Sequence, residues 1–331
     1  MKRAALRRAR FLLGALLVAG SARAEPTLWR RVKAPGSEAN EKARRHAEQL
    51  FAQATDESLN PELLRDISLG SAALLELSGG AARDPWHAVL LGRVLLEAGP
   101  GREREAARLI ESGIGQLPTS EFKRESWFDL GLSYQQFGDY ERATRAYTAA
   151  LALAWDADDR AIIHRNRGKM RMLSGRLGEA VNDFRAAVRL AQSSERVALS
   201  YFGLGVALER NGDYPAGMQA IAQGLAVRLP GPNVVSASVL DVPTLRWSPE
   251  YDVHYFRALL AMSQASGADD AGAEQQRYEA ALESWELYLP AAEAARDRFV
   301  ANAERHRQRC LDALARLRRE AEKSARSGRV R

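Results

Sequence analysis

The sequence predicts an all-α solenoid of stacked helical hairpins, and three observations predict it. Glycines fall at Gly101, Gly138, Gly175 and Gly212, each 37 residues after the last, and self-similarity at a fixed period of this size marks a repeat architecture. Within one interval the apolar residues form two runs spaced by three and four, which is the period of a helix face. A pair of short helices cannot bury its apolar face alone, so neighbouring pairs must stack on one another.

The other columns of the repeat keep the same interval. Ala106, Ala143, Ala180 and Gly217 form one, and Ile110, Tyr147, Phe184 and Ile221 a second. Gly113, Ala150, Ala187 and Gly224 form a third, and Gly131, Gly168 and Gly205 a fourth, with Val94 in the matching place upstream. In the best-preserved unit Trp127, Leu130, Gly131 and Tyr134 share a face of the first helix, a turn follows at Gly138-Asp139, and Ala143, Tyr147, Ala150 and Leu151 share a face of the second. Small residues at Gly131 and Ala143 allow the two helices to approach closely, and the large ones fill the space beside them. All of these are read as core.

Residues 127–151, WFDLGLSYQQFGDYERATRAYTAAL, resemble the tetratricopeptide pattern at nearly every signature place. NRGKMRMLSGRLGEAVNDFRAAV (166–188) and YFGLGVALERNGDYPAGMQAIAQGL (201–225) are similar to variants of it. That family repeats about every 34 residues; the additional residues here fall between hairpins, near Asp158–Arg160 and Glu195–Val197. His164 and Arg171 stand where the family usually has aromatics. That unit is therefore expected to be the least tightly packed, and tyrosine at 164 is expected to be neutral or stabilising. The resemblance implies a right-handed superhelical solenoid whose first helices line a concave groove for a protein or peptide partner. Carried along the repeat, the groove side comprises Phe128, Asp129, Leu132, Gln135, Arg165, Asn166, Lys169, Phe202, Val206 and Glu209. Arg165, Asn166 and Lys169 make its basic, hydrogen-bonding part; the alternative is that they are ordinary solvated residues.

Around the repeats the chain divides further. Residues 1–24 carry a basic head, a short apolar core from Phe11 to Gly20 and the small residues Ala22 and Ala24, the layout of a secretory signal peptide. Cleavage is expected before Glu25, and the product is expected to be exported to the periplasm or cell envelope with no transmembrane segment. Residues 25–82 read as an N-terminal cap with helices over 38–55 and 61–78, residues 83–231 as four repeats, and 232–250 as a non-helical insert with several prolines. Residues 251–290 read as a degenerate fifth repeat with a longer loop, SGADDAGAE, between its helices, and 291–331 as a C-terminal helix with a basic tail. Phe299, Ala303, His306, Cys310, Leu314 and Leu317 recur on one face of that helix, which buries the sulfur and the imidazole with the stripe.

The charge follows the same division. The chain carries 48 basic and 42 acidic residues, net +6. Six of the basic residues lie in 1–24, leaving 42 against 42 beyond it, so the overall excess belongs to targeting and not to nucleic acid. From Glu304 to Arg331 there are ten basic and four acidic residues, which sets residues 25–303 at −6. A basic tail suits an acidic partner or an anionic membrane surface, and equally a frayed, solvated helix end. One cysteine, Cys310, excludes an internal disulfide. His46, His87, His164, His254 and His306 are scattered without metal-ligand spacing, and no nucleophile elbow or phosphate loop is present. Asp156, Asp158 and Asp159 are read as an inter-hairpin loop. No cofactor, metal or catalytic residue is expected. The function expected is that of an exported scaffold, the alternatives being a structural subunit of an envelope complex or an enzyme or glycan-binding protein using the 230–250 insert.

Overall fold

The computed structural model describes residues 85–97, 101–154, 156–230 and 249–328, with Gln49, Leu240 and Trp247 besides. The expected signal peptide, the N-terminal cap and most of the insert lie outside the described residues. The helices are α1 (Pro85–Glu97), α2 (Glu103–Ile114), α3 (Glu121–Gln136), α4 (Tyr140–Leu153), α5 (Ala157–Leu173), α6 (Leu177–Leu190), α7 (Ser194–Arg210), α8 (Tyr214–Leu225), α9 (Asp252–Ser266), α10 (Ala271–Ala294) and α11 (Val300–Gly328). They pair as antiparallel hairpins, α1 with α2 through α9 with α10, and α11 packs on α10. The fold is an all-α helical repeat of the solenoid class.

The 37-residue glycines are where the first four hairpins turn. Gly101, Gly138, Gly175 and Gly212 have φ of +102°, +81°, +86° and +95°, the left-handed region that a Cβ disfavours. The residue after the glycine then donates back across five positions, Asp139 N to Tyr134 O at 2.9 Å, Arg176 N to Arg171 O at 2.7 Å and Asp213 N to Leu208 O at 2.9 Å. Those bonds satisfy carbonyls that the helix end leaves open. Starts are capped by side chains: Ser120, Asp156, Ser193, Asp213 and Asp270 each accept a first-turn N–H. Asp156 is thus the cap of α5, while Asp158 accepts from Gln192 N at 3.0 Å and pairs with Arg196. Asp270 also starts α10 at Ala271, so most of the long loop expected in the fifth hairpin is helix, and α10 continues through Pro290 to Ala294.

Two units divide at Leu153 and Ala154. In the first, α1 to α4 bury Val94, Leu95, Ala106, Ile110, Leu130, Tyr134, Ala143, Tyr147 and Ala150. Gly131 is required by the approach of the helices, because a Cβ there would stand 2.6 Å from the Tyr147 ring. Trp127, expected in the core, is only half-buried; the ring that meets Tyr147 is Phe128, at 5.5 Å between centroids. In the second unit one core runs from Met172 on α5 through Phe184, Phe202, Ile221, Tyr255 and Trp285 to Phe299, Ala303 and Cys310. Cys310 is fully buried and burial pushes its thiol up to about 12, which keeps it an unreactive core residue.

The hairpin expected to pack most loosely is held by charge instead. Asp183 on α6 accepts from Arg167 Nη2 at 2.7 Å, from Arg167 Nε at 3.0 Å and from Arg171 Nη1 at 2.6 Å, and shares a hydrogen bond with His164 Nδ1 at 2.8 Å. Burial works to raise this carboxyl, but His164, Arg167 and Arg171 together hold it below its ordinary value. His164 and Arg171 replace the missing aromatics with a polar cluster around one carboxylate, so tyrosine at 164 would remove a bond and not restore packing.

Candidate partner-binding face

The expected groove residues lie on first helices of hairpins, α3 in the first unit and α5 and α7 in the second. In the first unit Asp129 on α3 is not free for a partner, since Arg93 Nε donates to it at 2.6 Å and Arg93 Nη2 reaches Glu125 at 2.9 Å. Phe128 is half-buried against Tyr147, and Leu132 is half-buried against the α1 cluster of Leu90, Leu91 and Leu95. Gln135 is buried and accepts from the Tyr147 hydroxyl at 3.2 Å.

In the second unit the expectation for α7 is overturned. Phe202, Val206 and Glu209 are core residues, 0%, 0% and 4% exposed. Every residue of α7 from Phe202 to Arg210 is buried because the helix touches α5, α6, α8 and α9. Phe202 fits against α8 only because position 224 is glycine, where a Cβ would stand 2.6 Å from the ring. Glu209 is covered by the C-terminal helix: it accepts from Asn302 Nδ2 at 2.9 Å and bonds His306 Nε2 at 2.7 Å, while the Tyr255 hydroxyl donates at 2.5 Å. Burial alone would raise the Glu209 carboxyl; the hydrogen bond and charge of His306, with Tyr255 and Asn302, hold it below the usual range. The His306 ring lies between Tyr214 and Trp285, stacked at 5.2 Å and 5.7 Å. Beside this cluster Arg210 donates to Asp252 at 2.6 Å, both side chains being fully enclosed, with Tyr255 and Phe299 rings 4.1 Å from the guanidinium.

What remains open is α5, where Arg165, Asn166 and Lys169 are half-buried within about one helical turn. Lys169 stands 5.2 Å from the ring of Trp247, which itself packs edge-on against Phe256 of α9 at 5.0 Å. Burial pushes the Lys169 ammonium down to about 8; the Asp252 charge opposes that, and the Arg165 and Arg210 charges add to it. A cation that burial has stripped of part of its water favours an incoming anion. Trp247 was not among the expected site residues; its only signal in the sequence was an isolated aromatic in a proline-rich insert. Among the described residues no group of three or more His, Cys, Asp and Glu could hold a metal, and no helix is long and apolar enough to cross a membrane.

A family profile described as "Tetratricopeptide repeat" matches residues 128–195 and 174–231. Residues 128–231 therefore carry tetratricopeptide repeats. Those repeats hold the α5 face, and the fold is a scaffold typical of protein–protein interaction. No curated protein matches the chain. Among solved structures it is similar to MamA protein at 12% identity and TM-score 0.45, over 63% of this chain and 97% of that one. The C-terminal part of a TPR repeat-containing protein from Cytophaga hutchinsonii is 15% identical at TM-score 0.45, over 83% and 95%. Cut9 in its complex with Hcn1 is 14% identical at TM-score 0.44, over 84% and 54%.

Proposed function

We propose that the chain is an exported, non-catalytic scaffold that holds a protein or peptide partner against the α5 face of its tetratricopeptide repeats. The observation that carries this is Lys169, a desolvated ammonium beside Trp247 and near Arg165 and Arg210. A cation and an aromatic side by side are the usual anchors of a binding hot spot, and they select an acidic or carboxylate-bearing segment of the partner. Asn166 adds an amide that can both donate to and accept from an extended backbone. Export rests on the layout of residues 1–24.

Photo-crosslinkers placed at 165 and 169 in intact cells test the reading, with Arg165→Glu/Lys169→Glu as the paired variant. The same partner should be captured from both positions, and the double reversal should lose it while a cooperative thermal melt shows that the protein is still folded. Undiminished capture by the double reversal removes the α5 face from the reading. Sequencing of the exported protein's N-terminus should begin at Glu25, and retention of Met1 would overturn the export assignment.

A further inference from the structure

The outer face of α11 carries a second surface that the α5 face does not need. Arg305, Arg309, Arg316, Arg319 and Lys323 follow one another at spacings of four, seven, three and four, and Asp312 fills the missing place of the series. All six are exposed, and the opposite side of the helix is the buried stripe of Ala303, His306, Cys310, Leu314 and Leu317. Residues that recur this way lie in one line along a helix. From Arg305 to Lys323 that line is about 27 Å long at 1.5 Å per residue.

Part of the charge is spoken for. Arg316 pairs with Glu274 at 2.5 Å and with Glu320 at 3.6 Å, and Arg309 lies 4.1 Å from the Tyr214 ring. Among the described residues Arg305 donates only to the Asn302 amide oxygen, at 2.8 Å. Arg319 and Lys323 carry no ion pair among the described residues, and Arg318 lies exposed beside them. The buried stripe ends at Leu317, so the last turns of α11 extend past the apolar contact that holds the helix.

We infer that this basic line docks the protein on an anionic lipid surface, the helix lying flat with its buried side turned away. A protein partner would need an apolar or aromatic anchor to fix register, and the line holds none. A plane of anionic headgroups needs no register and attracts each lysine or arginine independently. A long nucleic acid fits less well, because residues 25–303 are net −6 and would repel a polyanion that wrapped beyond α11.

Sedimentation with vesicles of phosphatidylcholine containing a third of phosphatidylglycerol, at low salt, tests the docking. The whole exported protein is compared with Arg305→Gln/Arg319→Gln/Lys323→Gln, and with Arg145→Gln/Arg185→Gln/Arg189→Gln, which removes three exposed charges elsewhere. The wild type and the second variant should bind alike, and the first should partition on the order of 100-fold more weakly. All binding should vanish near 1 M salt, where the screening length falls to about 3 Å. Equal binding by the α11 variant overturns the inference. So does binding to neutral vesicles or at high salt, which points to an apolar segment, and so does tighter binding to duplex DNA than to vesicles. Melting curves establish that both variants are folded, and partner capture at 165 and 169 stays intact in the α11 variant, so the two surfaces fail separately.

Discussion

Replacing Glu209 by glutamine asks how much the covered carboxylate stabilises the second unit. The side chain keeps its shape but loses its charge, and its single carbonyl oxygen cannot satisfy Tyr255, Asn302 and His306 together. Hydrogen bonds to a charged group are worth about 1.5–3 kcal/mol each, and a buried donor left without a partner costs about 1–3 kcal/mol. Breaking one bond and weakening two gives a loss of roughly 3 kcal/mol, at the low end of the cost of breaking a buried ion pair. For a unit of this size each kcal/mol moves the melting temperature by about 2–4 °C, so Glu209→Gln should melt about 6–12 °C lower at pH 7. The pH dependence has a definite sign. Glu209 is held below its ordinary value in the folded state, so its contribution is complete above about pH 4.3, the unfolded value. It disappears as pH falls through the folded value, and the gap between wild type and variant should close on acidification. Calorimetry of both proteins from pH 7 to pH 3.5 measures this. A shift under 2 °C at neutral pH, or a gap that widens in acid, refutes the reasoning.

Gly138→Ala meets no atom within 4 Å, so its cost is the strain of φ +81° alone, about 1–2 kcal/mol of stability by thermal melt. His164→Tyr should destabilise by about 1–2 kcal/mol in the same assay, since it removes a hydrogen bond to a buried carboxylate; a neutral result would mean the polar cluster is incidental. Capture of an acidic partner segment at the α5 face should weaken as pH rises through about 8, where Lys169 loses its proton, and Lys169→Arg should move that loss out of the measured range. Equilibrium binding from pH 6.5 to 9.5 reads both.

Backbone-level features were legible in the sequence because the repeat writes them several times over. A glycine that returns every 37 residues reports a left-handed turn whatever surrounds it, and Gly131 or Gly224 reports a close approach. Side-chain exposure was less legible. Phe202 and Val206 occupy the same register as Arg165 and Lys169 one hairpin earlier, with Glu209 about a turn further on, yet α7 is enclosed by four helices and by α11. The deciding contacts come from His306 and Asn302, residues 97 and 93 positions away, and no local pattern carries them. Trp127 failed for a smaller reason: its neighbour Phe128 takes the place against Tyr147. The Asp183 cluster could have been anticipated from His164 and Arg171, which stand on α5 where aromatics were expected.

The contact between α11 and α7 also bears on how the second unit is made. Repeat arrays fold from nearest-neighbour contacts, so each hairpin can form as soon as it and the next are synthesised. Glu209 departs from that rule, for its carboxylate stays uncovered until His306, 97 positions later, has left the ribosome. At about 5–20 residues per second the nascent chain waits roughly 5–20 s with this buried-to-be charge in water. Closing so long a loop raises the contact order of the unit and slows its folding relative to the hairpins alone. In return the last helix is tied directly to α7 and not only to its neighbour α10.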